Sequence, residues 1–449
     1  MIKNKLLMKK VALFYQFSNL FNLPGLHKAT LRLIERCFTI VCDTDNFKHL
    51  DYTSVSKILA SSSLFLTSEI EVYKVAERWL NYNIEERSKY IKDLLLKARI
   101  NLLSKDTLRK LSNDSTFLKN DDRCVKILNE PLDCRESNLN KSTSHYQKSR
   151  YCTHKSFNLL VCGGFDSLVK TRRSRNVSCV DVNSTGGFKA YPPMITGRVS
   201  LNVVYVKGDF YVFGGFSIHR KFVMSVDKYS LTSNTWSQVA EMYDDRKGFC
   251  TCAFMDKILV FGGVNDETET NSCLQFDTSD YSWKEVSEMN NARSCTACVV
   301  YEERIVVSGG LYNLIKLTNV ESYDVLPDKW SPMPNMNSGK CNHSLVVVKN
   351  KLFALFEKNC EVFDNIGKNF ITIKPLIPEM RGLSRAFSIE NKIFVISDLT
   401  SKMICYDTNK HELSEELCQV TRYLYGFSCV KVPCLHEKTE KLNLSLVCN

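Results

Sequence analysis

Residues 258–263 read Ile-Leu-Val-Phe-Gly-Gly, and behind them stand Phe276-Asp277, Trp283, Met289 and Arg293, in that order. The same order returns at nearly the same intervals elsewhere in the chain. Gly-Gly pairs occupy 163–164, 214–215, 262–263 and 309–310, in steps of 51, 48 and 47 residues. Tryptophans fall at 236, 283 and 330, each 21 or 22 residues after the first glycine of a pair. Seven positions before each stands an aromatic residue: Tyr229, Phe276, Tyr323. A methionine follows and, four residues on, a basic residue: Met242 with Arg246, Met289 with Arg293, Met336 with Lys340. The basic residue precedes the next glycine pair by sixteen positions, 198 to 214, 246 to 262 and 293 to 309. Agreement over so many offsets marks a repeat of about 47 residues.

The same ruler finds two worn copies. Sixteen residues after Lys340 stands Phe356, closing the strand-like 351–356, and sixteen after Arg381 stands Ser397, just past 392–396. Both copies lack the glycines but keep an aromatic-acid step, Phe363-Asp364 and Tyr406-Asp407. Six units of this length, each with several strands, imply a propeller. Within one copy, 201–206 and 210–213 are apolar strands joined by a turn at Lys207-Gly208-Asp209. Paired glycines permit close backbone approach and positive φ, and the large rings fill the wedge between units. Arg422 is followed by 427–432, which matches the strand after the basic residue in other copies. This segment is expected to pair beside 159–164 and hide two sheet edges.

The first hundred residues read as helices, with glycine nearly absent. Leu33, Ile34, Cys37, Phe38 and Val41 form one apolar face after Pro24-Gly25, and Tyr52, Val55, Ile58 and Leu59 form another. Ser68 with Glu71 is a capping-box pair before Val72, Val75, Ala76, Trp79 and Leu80. Ile91, Leu94, Leu95 and Ala98 make a fourth face, and a short fifth helix begins at Ser104. Residues 112–150 turn polar and lose periodicity, as a linker does.

Composition narrows the function. With 44% apolar and 24% charged residues among 449, the chain is not disordered or collagen-like, and no apolar run is long enough to span a membrane. Lys9 and Lys10 interrupt the apolar start, so no signal peptide is read. Nineteen cysteines scattered through apolar runs imply buried thiols in a reducing compartment, cytosolic or nuclear. The net charge of +11 is spread along the chain, sharpest at Arg172, Arg173 and Arg175, without a nucleic-acid-binding motif.

These residues resemble the kelch repeat: a double glycine, Tyr-Asp, Trp, Met, and an Arg opening the next copy. The front is similar to the BACK domain of kelch-like proteins in Leu66-Thr-Ser-Glu69, Val72, Ala76, Trp79-Leu80, Glu86-Arg87, Leu94-Leu95 and 99–103. The fold class implied is α plus all-β. A small helical BACK-like domain covers 1–111, a linker 112–156, a six-bladed kelch β-propeller 157–434 with its last two repeats degenerate, and a tail 435–449. Kelch-like proteins are typically substrate-recognition adaptors of cullin-3 RING E3 ubiquitin ligases. Their amino-terminal BTB domain dimerises and binds cullin-3, and the propeller captures the protein to be ubiquitinated and degraded. The first residues here already fall in the BACK-like region, so the BTB domain is expected to be missing. Two readings stay open: a truncated gene model, or a natural BACK–kelch protein that competes with full-length relatives for substrate. Cullin-3 would be bound directly or through a BTB-containing relative. Several family members bind actin, which makes a cytoskeletal scaffold without ligase role the alternative. Either function places the chain in the cytoplasm, away from membrane and nucleic acid.

No catalytic set stands out. Cys295 and Cys298 have a metal-like spacing without a second pair, and Cys250 and Cys252 sit on one face of a strand. Cys341 and His343 lack an orienting acid, and Cys162-Gly163-Gly164 lacks the Lys-Ser/Thr of a phosphate loop. The chain is expected to be a non-enzyme, with neither cofactor nor metal. In resembling proteins, the basic residue opening the innermost strand lies near the propeller mouth. Here those partner-binding candidates are Arg198, Arg246, Arg293, Lys340 and Arg381. Such a ring would suit an acidic peptide, since Arg pairs bidentately with carboxylate. Alternatively, each side chain braces its own blade by bonding backbone carbonyls.

Overall fold

The computed structural model describes residues 2–114 and 157–433, apart from 62, 67, 100–102, 104, 167–174, 182–188, 218–220, 232, 357–359, 374–384, 390, 397–401, 411, 420–423 and 426. Most of the expected linker, the tail, the Arg172-Arg173 pair, Arg381 and Arg422 lie outside the described residues.

The front is helical, as its 3.6-residue periodicity requires. Its longer helices are Ile2–Leu20, Pro24–Arg36, Tyr52–Ala60, Glu69–Tyr82 and Lys105–Asp114, with shorter turns between them. Pro24 opens its helix at the first position, where a missing N–H costs nothing. Asp51 caps the next through Ser54 N–H at 2.7 Å. Val55, Ile58, Leu59, Val72, Val75, Ala76, Trp79 and Leu80 are all buried in one core, as the sequence pattern predicts.

The rest is a β-propeller. Five four-stranded antiparallel sheets are each built from one continuous stretch of chain. Their innermost strands are Asn202–Val206, Cys250–Phe254, Ala297–Tyr301, Ser344–Val348 and Arg385–Ile389. The last two show that the worn copies still make blades. A further four-stranded sheet joins both ends of the region. Ser428–Pro433 is its innermost strand and pairs with Phe157–Cys162, Leu160 facing Val430. The innermost strands touch one another in turn, and Ser428–Pro433 contacts both Arg385–Ile389 and Asn202–Val206, which closes the ring.

Each signature residue has a physical task. The rings pack in pairs, Phe276 on Trp283 and Tyr323 on Trp330, both with centroids 4.9 Å apart. Every repeat tryptophan also ties its blade to the preceding one. Its indole N–H donates to Pro192 O from Trp236 (2.8 Å), to Glu241 O from Trp283 (2.7 Å) and to Ser287 O from Trp330 (2.7 Å). The hairpin turn at Lys207 and Gly208 has both residues at positive φ, the geometry that suits the twist of a two-residue hairpin.

The helical domain sits on the side of the propeller formed by these hairpin turns. Phe65 meets the ring of Tyr205 edge-on at 5.9 Å, and Lys207 Nζ reaches Asp43 at 3.3 Å. Thr107 donates to Asp324 at 2.6 Å. One continuous apolar core includes Val72 and Leu80 from the helices and Ile305 and Tyr323 from the propeller. Ser68 is the N-cap as expected, but its hydroxyl accepts from Ile70 N–H rather than the Glu71 N–H of a capping box, and it donates to Glu303 on the propeller.

Candidate functional site: the loop face of the propeller

With the helices seated on the turn side, the opposite face carries the loops that enter the innermost strands and those that link the second strand of each blade to the third. The described basic residues of the repeats, Arg198, Arg246, Arg293 and Lys340, lie where this face meets the ring. Arg198 and Arg293 are wholly buried, as is Lys340, and Arg246 nearly so.

Their bonds point inward. Arg198 donates to Gly214 O (3.2 Å) and Ser225 O (3.0 Å), and pairs with Asp227. Arg293 donates to Gly309 O (2.9 Å) and Asn319 O (3.0 Å), and pairs with Glu321. Arg246 donates to Gly262 O (3.2 Å) and Ser272 O (3.3 Å), and pairs with Asp244. Burial pulls Arg198 and Arg293 below the ordinary guanidinium value, opposed by Asp227 and Glu321. Lys340 meets Ser338 and Glu361, and its blade is one of the copies without glycines.

Of the two readings left open for Arg198, Arg246, Arg293 and Lys340, this geometry supports the bracing of each blade over a ring for an acidic peptide. The cationic groups of Arg198 and Arg293 are spent on the ends of the second and third strands of their own blades, and Arg246 and Lys340 add Asp244 and Ser338 from the loop entering the blade; Arg198 Nε and Asp227 Oδ1 keep no hydrogen-bond partner. The backbone of the same residues grips the blade before. Gly263 N–H donates to Arg293 O at 2.8 Å, and Gly310 N–H to Lys340 O at 2.7 Å. A Cβ on Gly262 would lie 2.3 Å from that Arg293 oxygen. Glycine and arginine thus form one inter-blade joint, with the methionine beneath it: Met289 Cε would lie 3.1 Å from the same Cβ.

The rim of the opening is set two residues further on. Ser200, Gly248, Cys295 and Asn342 all have φ between +51° and +66°. Cys295 N–H donates to Gly248 O at 2.6 Å, and Asn342 N–H to Cys295 O at 2.8 Å, lacing neighbouring blades together. These rim residues are small and uncharged. Sequence reasoning singled out Cys295 only for its spacing to Cys298 and passed over the other three, although their fixed offset from each basic residue was a usable signal.

The other chemical candidates resolve into packing. Cys298 is a free thiol, and its neighbours Cys250 and Cys252, with burial, raise it well above the ordinary value, away from a reactive thiolate. His343 bonds Ser308 at 2.7 Å, and burial with Lys340 and Arg293 nearby lowers it to about 3, so it stays neutral. Among the described residues no group of three or more His, Cys, Asp or Glu is placed to hold a metal ion. A cleft at the domain junction is lined by Lys74, Lys110, Lys257, Lys284, Phe254 and Tyr323, far from the rim.

Comparison with known proteins agrees with this architecture. A family model described as BTB And C-terminal Kelch matches residues 11–113, and one described as the KLHDC2/KLHL20/DRC7 Kelch-repeats domain matches 149–356. The chain carries a BACK region followed by kelch repeats. It is similar to Kelch-like protein 28 of Homo sapiens, 25% identical over 263 residues, which is 56% of this chain and 45% of that protein. It is also similar to Kelch-like protein 31 of Homo sapiens, 24% identical over 55% of this chain and 39% of that protein. Kelch-like protein 7 of Rattus norvegicus is 32% identical over 105 residues, 23% of this chain and 18% of that protein. This BACK–kelch chain therefore spans less than half the length of these curated relatives. Among its described residues no helix is long and apolar enough to cross a membrane.

Proposed function

We propose that this chain is a substrate-recognition adaptor of a cullin-3 ubiquitin ligase, holding a target protein on the loop face of its propeller for ubiquitination. The reading rests on the placement of the helical domain. It occupies the turn side through Phe65, Ser68 and Thr107, and its described residues leave the loop face with its rim uncovered. An adaptor needs this division, one side for the ligase and the other for the target. The kinship to kelch-like proteins supports it. The role is one of binding rather than catalysis, in the cytoplasm. Cullin-3 is reached through the helical domain or through a BTB-containing relative.

A pull-down of the purified chain with cullin-3, alone and with a BTB-containing relative, tests this. Capture in either arm supports the adaptor, and the arm that succeeds tells which route is used. Capture in neither, with co-sedimentation on actin filaments, would replace it with a cytoskeletal scaffold.

A further inference from the structure

Two neighbouring hairpins on the loop face differ sharply in chemistry. One joins Val264–Asn265 to Thr268–Glu269 and carries Asp266 and Glu267 at its tip. The next joins Leu311–Tyr312 to Ile315–Lys316, and its outer residues are Tyr312, Leu314 and Ile315. The hairpins touch, with Asn313 N–H donating to Glu269 Oε2 at 3.5 Å. Leu314 is 92% exposed and Ile315 67%. Leu314 also has φ +65°, a conformation that glycine or asparagine adopts far more readily. A large apolar side chain held out in water on an unfavourable backbone marks a contact surface.

Charge identifies what fits there. Although the chain as a whole is basic, this corner presents acids. Asp245, Asp266 and Glu267 are exposed, and among the described residues no hydrogen bond or ion pair engages the carboxylates of Asp266 and Glu267. The nearby cations turn toward rings instead. Lys247 Nζ lies 5.7 Å from the centre of the Phe222 ring, and Lys316 Nζ lies 5.2 Å from that of Phe356. We infer that this pair of hairpins docks a polypeptide segment in which lysine or arginine stands beside a large apolar side chain. The apolar residue packs on Leu314 and Ile315, and the cation meets Asp266 and Glu267. The inference rests on the reading that targets are met on the loop face, and it reverses the acidic peptide that a ring of arginines would have called for.

The test uses the whole chain as bait for phage-displayed random dodecapeptides. Enriched peptides should combine Lys or Arg with Leu, Ile, Phe or Trp. A resynthesised winner should bind the L314D/I315D double variant about tenfold less tightly, through lost apolar burial. It should bind D266K/E267K about tenfold less tightly too, with wild-type affinity falling as salt rises. All four sites lie at hairpin tips, and unchanged melting of both variants verifies the fold. Acid-rich or uncharged winners, wild-type affinity retained by either variant, or no enrichment over D266K/E267K overturns the inference. The same variants go through the cullin-3 pull-down. Cullin capture without basic-apolar peptides sinks this inference alone, whereas such peptides without cullin capture sink the adaptor and leave the docking surface standing.

Discussion

The carboxylate of Glu303, on a propeller hairpin turn, accepts the backbone N–H of Glu69 at 2.8 Å and so caps a helix of the other domain. The bond places an acid at the positive end of the helix Glu69–Tyr82. It also places that acid beside Glu69 and Glu71, both buried.

A pH dependence follows. Burial, aided by Glu69 and Glu71, pushes Glu303 up to about 8 from an ordinary value of 4.5, while its bonds to Ser68 and Glu69 N–H oppose the rise. With the folded value above the unfolded one, the unfolded chain loses this proton first as pH rises. Stability from this group is full below about 4.5, declines up to about 8, and is level beyond. Glu303→Gln should flatten that part of the profile, matching wild type near pH 5 and exceeding it near pH 9. Urea titrations across this range decide it, and parallel profiles would sink the idea.

The buried ion pairs make a second prediction. Arg293→Ala leaves Glu321 enclosed without its cation, and Arg198→Ala does the same to Asp227. Each should cost about 3–5 kcal/mol of propeller stability. Arg246→Ala should cost less, because Asp244 keeps 17% of its side-chain surface in water. Chemical denaturation ranks the three. Loss of partner binding at unchanged stability would restore the binding role for these positions.

Gly262→Val should be more damaging than its size suggests. Gly262 has φ +60°, and its new Cβ would fall 2.3 Å from a backbone oxygen. Strain of about 1–3 kcal/mol for the dihedral alone adds to that clash. Gly25→Ala is the control, since a Cβ there would meet no atom within 4 Å. Thermal melting of the pair should show a large drop against almost none.

Closure gives a fourth. A chain ending after Gln419 lacks Ser428–Pro433 and leaves Phe157–Cys162 as an open sheet edge. Such an edge invites pairing with another molecule. Sedimentation velocity should find large oligomers, and a monodisperse truncated chain would contradict the closure argument.

The propeller was legible because its constraints recur at fixed offsets. Trp283 must reach Glu241 O, and Gly262 must admit Arg293 O, so the spacing of these residues cannot drift. The arginines were visible but ambiguous, since binding and bracing ask for the same residue type in the same place. The acids that favour bracing, Asp227 and Glu321, stand 29 and 28 residues after Arg198 and Arg293, on the third strand of the same blade. The domain junction was not legible at all. Ser68 announces its own helix start, but the carboxylate that meets it is 235 residues away. Local pattern carries no trace of such a partner.

The composite blade has a consequence for how the molecule is made. Its strand at 157–162 leaves the ribosome long before its partner at 428–433 exists. At about 5–20 residues per second the wait lasts roughly 15–55 s. Throughout it the unfinished ring has a raw edge at each end, so the nascent chain needs shelter until its last strand arrives.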